Sequence, residues 1–134
     1  MNLFWDTSAV LSLIVRELHS EESVAAWHSS SMNLAWRWMK VEACAALSRR
    51  GGTTRQWAAL EKLLEEFQYL DMNAEAFSEV AESNRVWKLR AADAGHVWCL
   101  KKAAFILPDI RMVCFDEEMI AVVRKLGLSI WAKQ

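Results

Sequence analysis

Proline occurs once and glycine four times in the 134 residues. A chain so poor in both carries no collagen-like repeat, no Gly/Ser/Pro linker and no composition of disorder. Three cysteines, Cys44, Cys99 and Cys114, form no CxxC pair and are too few for a disulfide scaffold. They are expected to pack internally in a reducing compartment. No run approaches the roughly 20 apolar residues that cross a membrane. The opening MNLFWDTSAV lacks the basic start and unbroken apolar stretch of a secretion signal, so a cytoplasmic protein without a membrane partner is expected. An excess of either charge is also missing: sixteen Lys and Arg stand against seventeen Asp and Glu, for a formal net charge of −1. That excludes a basic tail or a uniformly cationic surface, but not nucleic-acid binding, which depends on where the charges sit.

What is present is a core. Hydrophobic residues make up 54% of the chain, and the length suits one domain spanning residues 1–134. Eight Trp and five Phe are an excess that favours core or subunit-interface packing. The near-neutral total also averages unlike regions. Trp36 to Lys62 holds six basic and two acidic residues, whereas Leu63 to Arg85 holds six acidic and one basic.

Along the chain, strands and helices alternate. Asn2 to Trp5 reads as a buried strand, with Asp6, Thr7 and Ser8 at its C-terminal end ready to cap a helix carrying Val10, Leu11, Leu13 and Ile14. Ser20 offers a cap to a helix with Val24 and Trp27 on its apolar face. Leu34 to Trp36 is a second strand, followed by a helix with Val41, Cys44, Ala45 and Leu47 that ends at Gly51 and Gly52. Thr53 or Thr54 caps a helix with Trp57, Leu60, Leu64 and Phe67 at three- and four-residue intervals. Tyr69 to Met72 reads as a short strand, and Asn73 caps a helix that turns Phe77, Val80 and Trp87 inward. A helix over Ala91 to Ala103, a strand over Arg111 to Phe115, a helix begun by Asp116 and closed by Gly127, and a strand over Leu128 to Trp131 complete the chain. Such alternation predicts a three-layer α/β/α fold around a mainly parallel sheet of four to five strands.

Four acids stand out because of where these elements end. Asp6 and Asp116 each follow an apolar strand, Glu42 lies in an apolar helical start, and Asp93 precedes Ala94, Gly95 and His96. Parallel strands bring distant residues to one C-terminal sheet edge. Carboxylates gathered there repel one another unless a hard cation such as Mg²⁺ or Mn²⁺ offsets the charge, and such a cation can also activate water against a phosphodiester. Taken singly, Asp6 and Asp116 are also ordinary helix caps and Glu42 an ordinary ion-pair residue.

These segments resemble the PIN-domain nucleases, especially the small VapC toxins of toxin–antitoxin pairs. FWDTSAVLSLIVRE is similar to the family's strand-Asp-Thr-Ser opening, VEACAALSRR to its Glu-bearing segment, LRAADAGHVWCL to the segment of the third acid, and VCFDEEMIAVVRKLGLSIW to the closing Asp unit. The resemblance covers almost the whole chain. It implies a PIN-like fold and a Mg²⁺- or Mn²⁺-dependent endoribonuclease, with Asp6, Glu42, Asp93 and Asp116 as catalytic and metal-ligating residues. It also implies water as the nucleophile, not a serine. Ser8 is expected to support the site and Thr7 its turn. His96, three residues after Asp93, is expected to be a hydrogen-bonded, partly buried support and not a ligand. Two departures mark this chain: Cys114 stands where the related pattern often has Thr, and the region before Glu42 is Trp-rich.

RNA also needs cations. Arg37, Lys40, Arg49, Arg50 and Arg55 form one candidate group; Lys88, Arg90, Lys101 and Lys102 form another. Trp36 and Trp38 lie beside the first group, suited to core packing, to base stacking, or to a surface for a second copy or an antitoxin. The resemblance implies a VapB-like antitoxin and a homodimer or toxin–antitoxin hetero-oligomer. Competing readings are a catalytically weakened PIN-like module that binds protein or RNA, and a PIN nuclease outside any toxin pair.

Overall fold

In a computed structural model that describes residues 1–133, the expected alternation closes into five parallel strands. The chain runs β1 (Asn2–Trp5), α1 (Thr7–Leu11), α2 (Ser20–Ser29), β2 (Met32–Trp36), α3 (Trp38–Arg49), α4 (Thr54–Leu64), β3 (Gln68–Leu70), α5 (Ala74–Trp87), α6 (Ala91–Ile106), β4 (Arg111–Val113), α7 (Glu117–Lys125) and β5 (Ser129–Ile130). The sheet order is β3-β2-β1-β4-β5. Every pairing is parallel; Phe4 lies opposite Leu34 on one side and Met112 on the other.

The period of two along the strands divides the core between the two faces. Leu3, Trp5, Ala35 and Val113 pack with α1 to α4, through Val10, Ala26, Met39, Leu47 and Leu60. Phe4, Leu34, Trp36, Met112 and Cys114 pack with α5 to α7, through Val80, Val97, Leu100, Met119 and Val123. This is the expected three-layer α/β/α arrangement. No helix among the described residues is long and apolar enough to cross a membrane.

Local chemistry sets most element ends. Thr53 accepts from the Gln56 amide while the Gln56 side chain accepts from the Thr53 amide, so α4 starts on a capping box. Asn73 caps α5 by accepting from the Ala76 amide. Gly51, at φ +65°, follows the end of α3 in the left-handed conformation that costs glycine little. Other expectations are corrected. His19, not Ser20, occupies the N-cap of α2, because the Ser20 hydroxyl donates to Val15 and accepts from the Glu17 amide. Strands β3, β4 and β5 are shorter than expected, β4 ending at Val113 and not at Phe115.

Four residues read as apolar positions of their helices are exposed: Val24, Val41, Ala45 and Phe77. On α3 the buried stripe runs through Met39, Ala43 and Leu47, four residues apart, which turns Val41 to the opposite side. On α5 it runs through Ala76 and Val80. Small alanines form the contact in both helices, so apolar size alone misidentifies the inward face.

Candidate active site

The strand order reverses direction beside β1, and the C-terminal ends of β1 and β4 flank a crevice there. Asp6 follows β1 directly, with its amide donating to the Val113 carbonyl of β4 at 3.2 Å. Asp116 lies three residues beyond β4. Glu42 reaches the same edge from the first turns of α3, and Asp93 from the first turn of α6. All four acids line one cleft of about 670 Å³, together with Thr7, Ser8, Trp38, Arg49, Arg50 and Arg90.

Asp6 is buried and occupies the N-cap position of α1, but it makes no capping bond. Its Oδ2 instead accepts from the Ser8 hydroxyl at 2.7 Å. Burial pushes its carboxyl above the usual aspartate range; the charge of His96 and the Ser8 bond oppose this, and the Glu42 charge adds to it.

Glu42 is the most constrained of the four. Its Oε1 accepts from His96 Nε2 at 2.6 Å and from the Thr7 hydroxyl at 2.9 Å, while Thr7 Oγ1 and His96 Nε2 lie 3.2 Å apart. Burial raises the Glu42 carboxyl, but the bond and charge from His96 and the Thr7 bond outweigh it and hold the group below its ordinary value. An ionised carboxylate only accepts, so His96 Nε2 carries a hydrogen. His96 Nδ1 is then buried without a hydrogen-bond partner among the described residues. Leaving a buried polar atom unmet costs about 1–3 kcal/mol, a cost the charge-assisted bond to Glu42 offsets. The ring is edge-on to Trp36 at 5.2 Å. Trp36 in turn lies against Gly95, where any Cβ would overlap the indole. Thr7 therefore ties α1 to α3 and α6 instead of merely shaping its own turn, and His96 is fully buried, not partly so.

The outer side of the cleft is held differently. Arg90 Nε lies 3.3 Å from Asp93 and its Nη2 3.7 Å from Asp116. Burial raises the Asp93 carboxyl, with Asp6 and Asp116 adding to the rise and Arg90 opposing it. Asp116 also caps α7 by accepting from the Met119 amide at 2.9 Å, and its own amide donates to Cys114 Sγ at 3.4 Å. Burial raises the Cys114 and Cys99 thiols, so neither is a ready nucleophile.

The basic candidates separate. Arg49, Arg50 and Arg90 line the cleft, Arg50 being bound to Glu17 at 2.7 Å. Arg37 is paired with Asp71 and, like Lys40, lies over the Tyr69 ring. Lys102 is paired with Glu79 and lies over Trp98. Lys88 closes α5 in a left-handed conformation. These four, with Arg55 and Lys101, are not among the residues lining the cleft. Trp36 is buried packing; Trp38 is exposed at the cleft wall. Gly95 went unread as a site residue, although a lone glycine inside a helical pattern is a signal of close packing.

Oxygen donors of this kind suit a hard divalent cation, and the raised carboxyls of Asp6 and Asp93 are those its charge would relieve. No group of three or more His, Cys, Asp or Glu side chains among the described residues is already gathered into a metal cage. The donor set fits in chemistry, with its outer two carboxylates turned to Arg90.

No protein-family model matches the chain, and no curated protein does. Among solved structures, the fold matches VapC20 of Mycobacterium tuberculosis, a sarcin-ricin loop cleaving toxin. The TM-score is 0.75 at 18% identity, over 90% of this chain and 94% of that one. The fold is therefore the PIN-like, VapC-like one.

Proposed function

We propose that this PIN-fold chain is a metal-dependent endoribonuclease toxin that hydrolyses phosphodiester bonds in cellular RNA and is neutralised by a cognate antitoxin. The observation that carries the reading is that Asp6, Glu42, Asp93 and Asp116, far apart in the sequence, line one cleft at the sheet edge. VapC20, of the same fold, is a sarcin-ricin loop cleaving toxin, which makes structured RNA loops the first substrates to try.

Asp6, Glu42, Asp93 and Asp116 would hold Mg²⁺ or Mn²⁺, which supplies Lewis acidity toward water and a phosphate oxygen. Ser8 fixes one oxygen of Asp6, and His96 with Thr7 fixes one oxygen of Glu42, leaving the second oxygen of each carboxylate for the site. Arg49 and Arg50 bring positive charge to the cleft wall, where the phosphates flanking the scissile bond would lie. Burial of Asp6 keeps competing solvent from the innermost carboxylate. A second copy or an antitoxin would gain burial on the exposed apolar residues Leu18, Val86, Phe105 and Ile106.

Incubating the purified protein with a mixed, end-labelled RNA pool tests this. Internal cleavage should appear with Mg²⁺ or Mn²⁺ and vanish with chelator; cleavage that ignores chelator contradicts the mechanism. A second reading, a catalytically weakened module that binds RNA or protein, is favoured by the Arg90 bridge across Asp93 and Asp116. RNA binding without cleavage is its signature.

A further inference from the structure

Beside the cleft lies a second depression, an apolar groove of about 870 Å³ whose walls include Trp36, Trp38, Phe77, Val80 and Arg85. It shares Trp38 and Ala92 with the cleft, so the two are continuous. The hollow formed by Leu13, Ile14, Trp27 and Leu63 shares no residue with the cleft. Trp38 is 47% exposed and Phe77 55%, so an aromatic surface is available on each wall.

We infer that this groove is a subsite for one unpaired RNA base, stacked on Trp38, whose adjoining phosphate enters the acidic cleft. The inference rests on the nuclease reading and deepens it by naming what the substrate must present. Three observations converge. A base is joined to its phosphate through one sugar, so a phosphate in the cleft leaves its base at the shared wall, where Trp38 stands. The groove lining is mostly apolar with Arg85 among its residues, and Arg90 lines the adjoining cleft. Arg85 pairs with Glu82 at 3.6 Å, both side chains being about three-quarters exposed, so its guanidinium can exchange that partner for a phosphate. An apolar slot with one cation in its wall and another in the adjoining cleft matches a base joined to phosphates, whereas an apolar peptide helix has no use for the cations. Unpaired bases are the parts of RNA that offer a free face for such stacking, which makes loops and bulges the substrate class.

The test uses the full chain carrying Asp6→Asn, so that RNA is bound and not cut. A short fluorescein-labelled oligoadenylate is compared by anisotropy with a series having one abasic position each. One abasic position should weaken binding about 5- to 100-fold, the range of a single base–aromatic stack. Adding Trp38→Ala should produce a similar loss with the intact strand and abolish the difference between intact and abasic strands. Trp38→Phe should restore most of it, and Phe77→Ala should give a smaller loss of the same kind. If the Trp38→Ala and abasic losses simply multiply, or no abasic position matters, the subsite is refuted and the groove is left to a protein segment. If Asp6→Asn protein binds no RNA and wild type cleaves none, the nuclease reading falls with it. Cleavage by wild type with a flat abasic series removes the subsite alone.

Discussion

The two halves of the cleft are built differently. In the inner half, Asp6 and Glu42 are fixed by Ser8, Thr7 and His96 through bonds of 2.6–2.9 Å, one of them from a fully buried ring. In the outer half, Asp93 and Asp116 share Arg90 at 3.3 and 3.7 Å, and that guanidinium is 84% exposed. An exposed ion pair is worth at most about 1 kcal/mol and is readily exchanged. The inner carboxylates are therefore held by hydroxyl donors and a buried ring, while the outer two share a cation that can leave, Asp116 keeping its cap bond to the Met119 amide. This accounts for four carboxylates that line one cleft yet form no closed cage among the described residues.

The largest expected effect is in the inner half. Asp6→Asn should reduce RNA cleavage by more than the roughly 10- to 100-fold typical of an outer supporting residue. It should also hold or raise the melting temperature, since it replaces a buried charge by a neutral group of the same shape. A gel-based rate and a thermal melt check both. His96→Ala should cost about 10- to 100-fold in cleavage and about 1–3 kcal/mol in stability by removing one of the two donors to Glu42 and leaving Thr7 as the other. Its supporting role is separated from simple loss of fold by His96→Gln, whose amide can still donate and should recover part of the rate.

Gly95→Ala probes the same half from behind. Overlap with Trp36 should cost about 1–3 kcal/mol by denaturant unfolding, with a smaller loss of cleavage than His96→Ala gives. In the outer half, Arg90→Met should strengthen Mn²⁺ binding, by up to about fivefold, because a competing cation is gone; calorimetric titration reads this directly. An equal loss of Mn²⁺ affinity from Arg90→Met and His96→Ala would erase the distinction between the halves. Smallest of all, Arg37→Ala should leave cleavage unchanged, since Arg37 is engaged by Asp71 and Tyr69 outside the cleft.

The order of strands and helices was legible because strand and helix periods are local, and Asp6 and Asp116 were legible because each ends an apolar strand. Their meeting followed from the logic of parallel sheets. The Thr7–Glu42–His96 contact was not legible: its members lie 35, 54 and 89 positions apart, and no local pattern encodes which loop oxygen faces which ring. The basic candidates divide for a related reason. Arg37 and Lys102 look like Arg49 in sequence, but partners at Asp71 and Glu79 draw them elsewhere. Phe77 was misread because a helix with alanine on its contact stripe hides its inward face from any scale of side-chain size.

On the proposed reading the cleft's carboxylates hold a divalent cation. Titrating the protein with Mn²⁺ while following the electron paramagnetic resonance of the free ion tests it most directly. Wild type should remove Mn²⁺ from the free signal, and Asp6→Asn or Asp93→Asn should weaken that uptake. A wild-type protein that leaves the signal unchanged at millimolar Mn²⁺, or variants that bind as wild type does, would contradict the account.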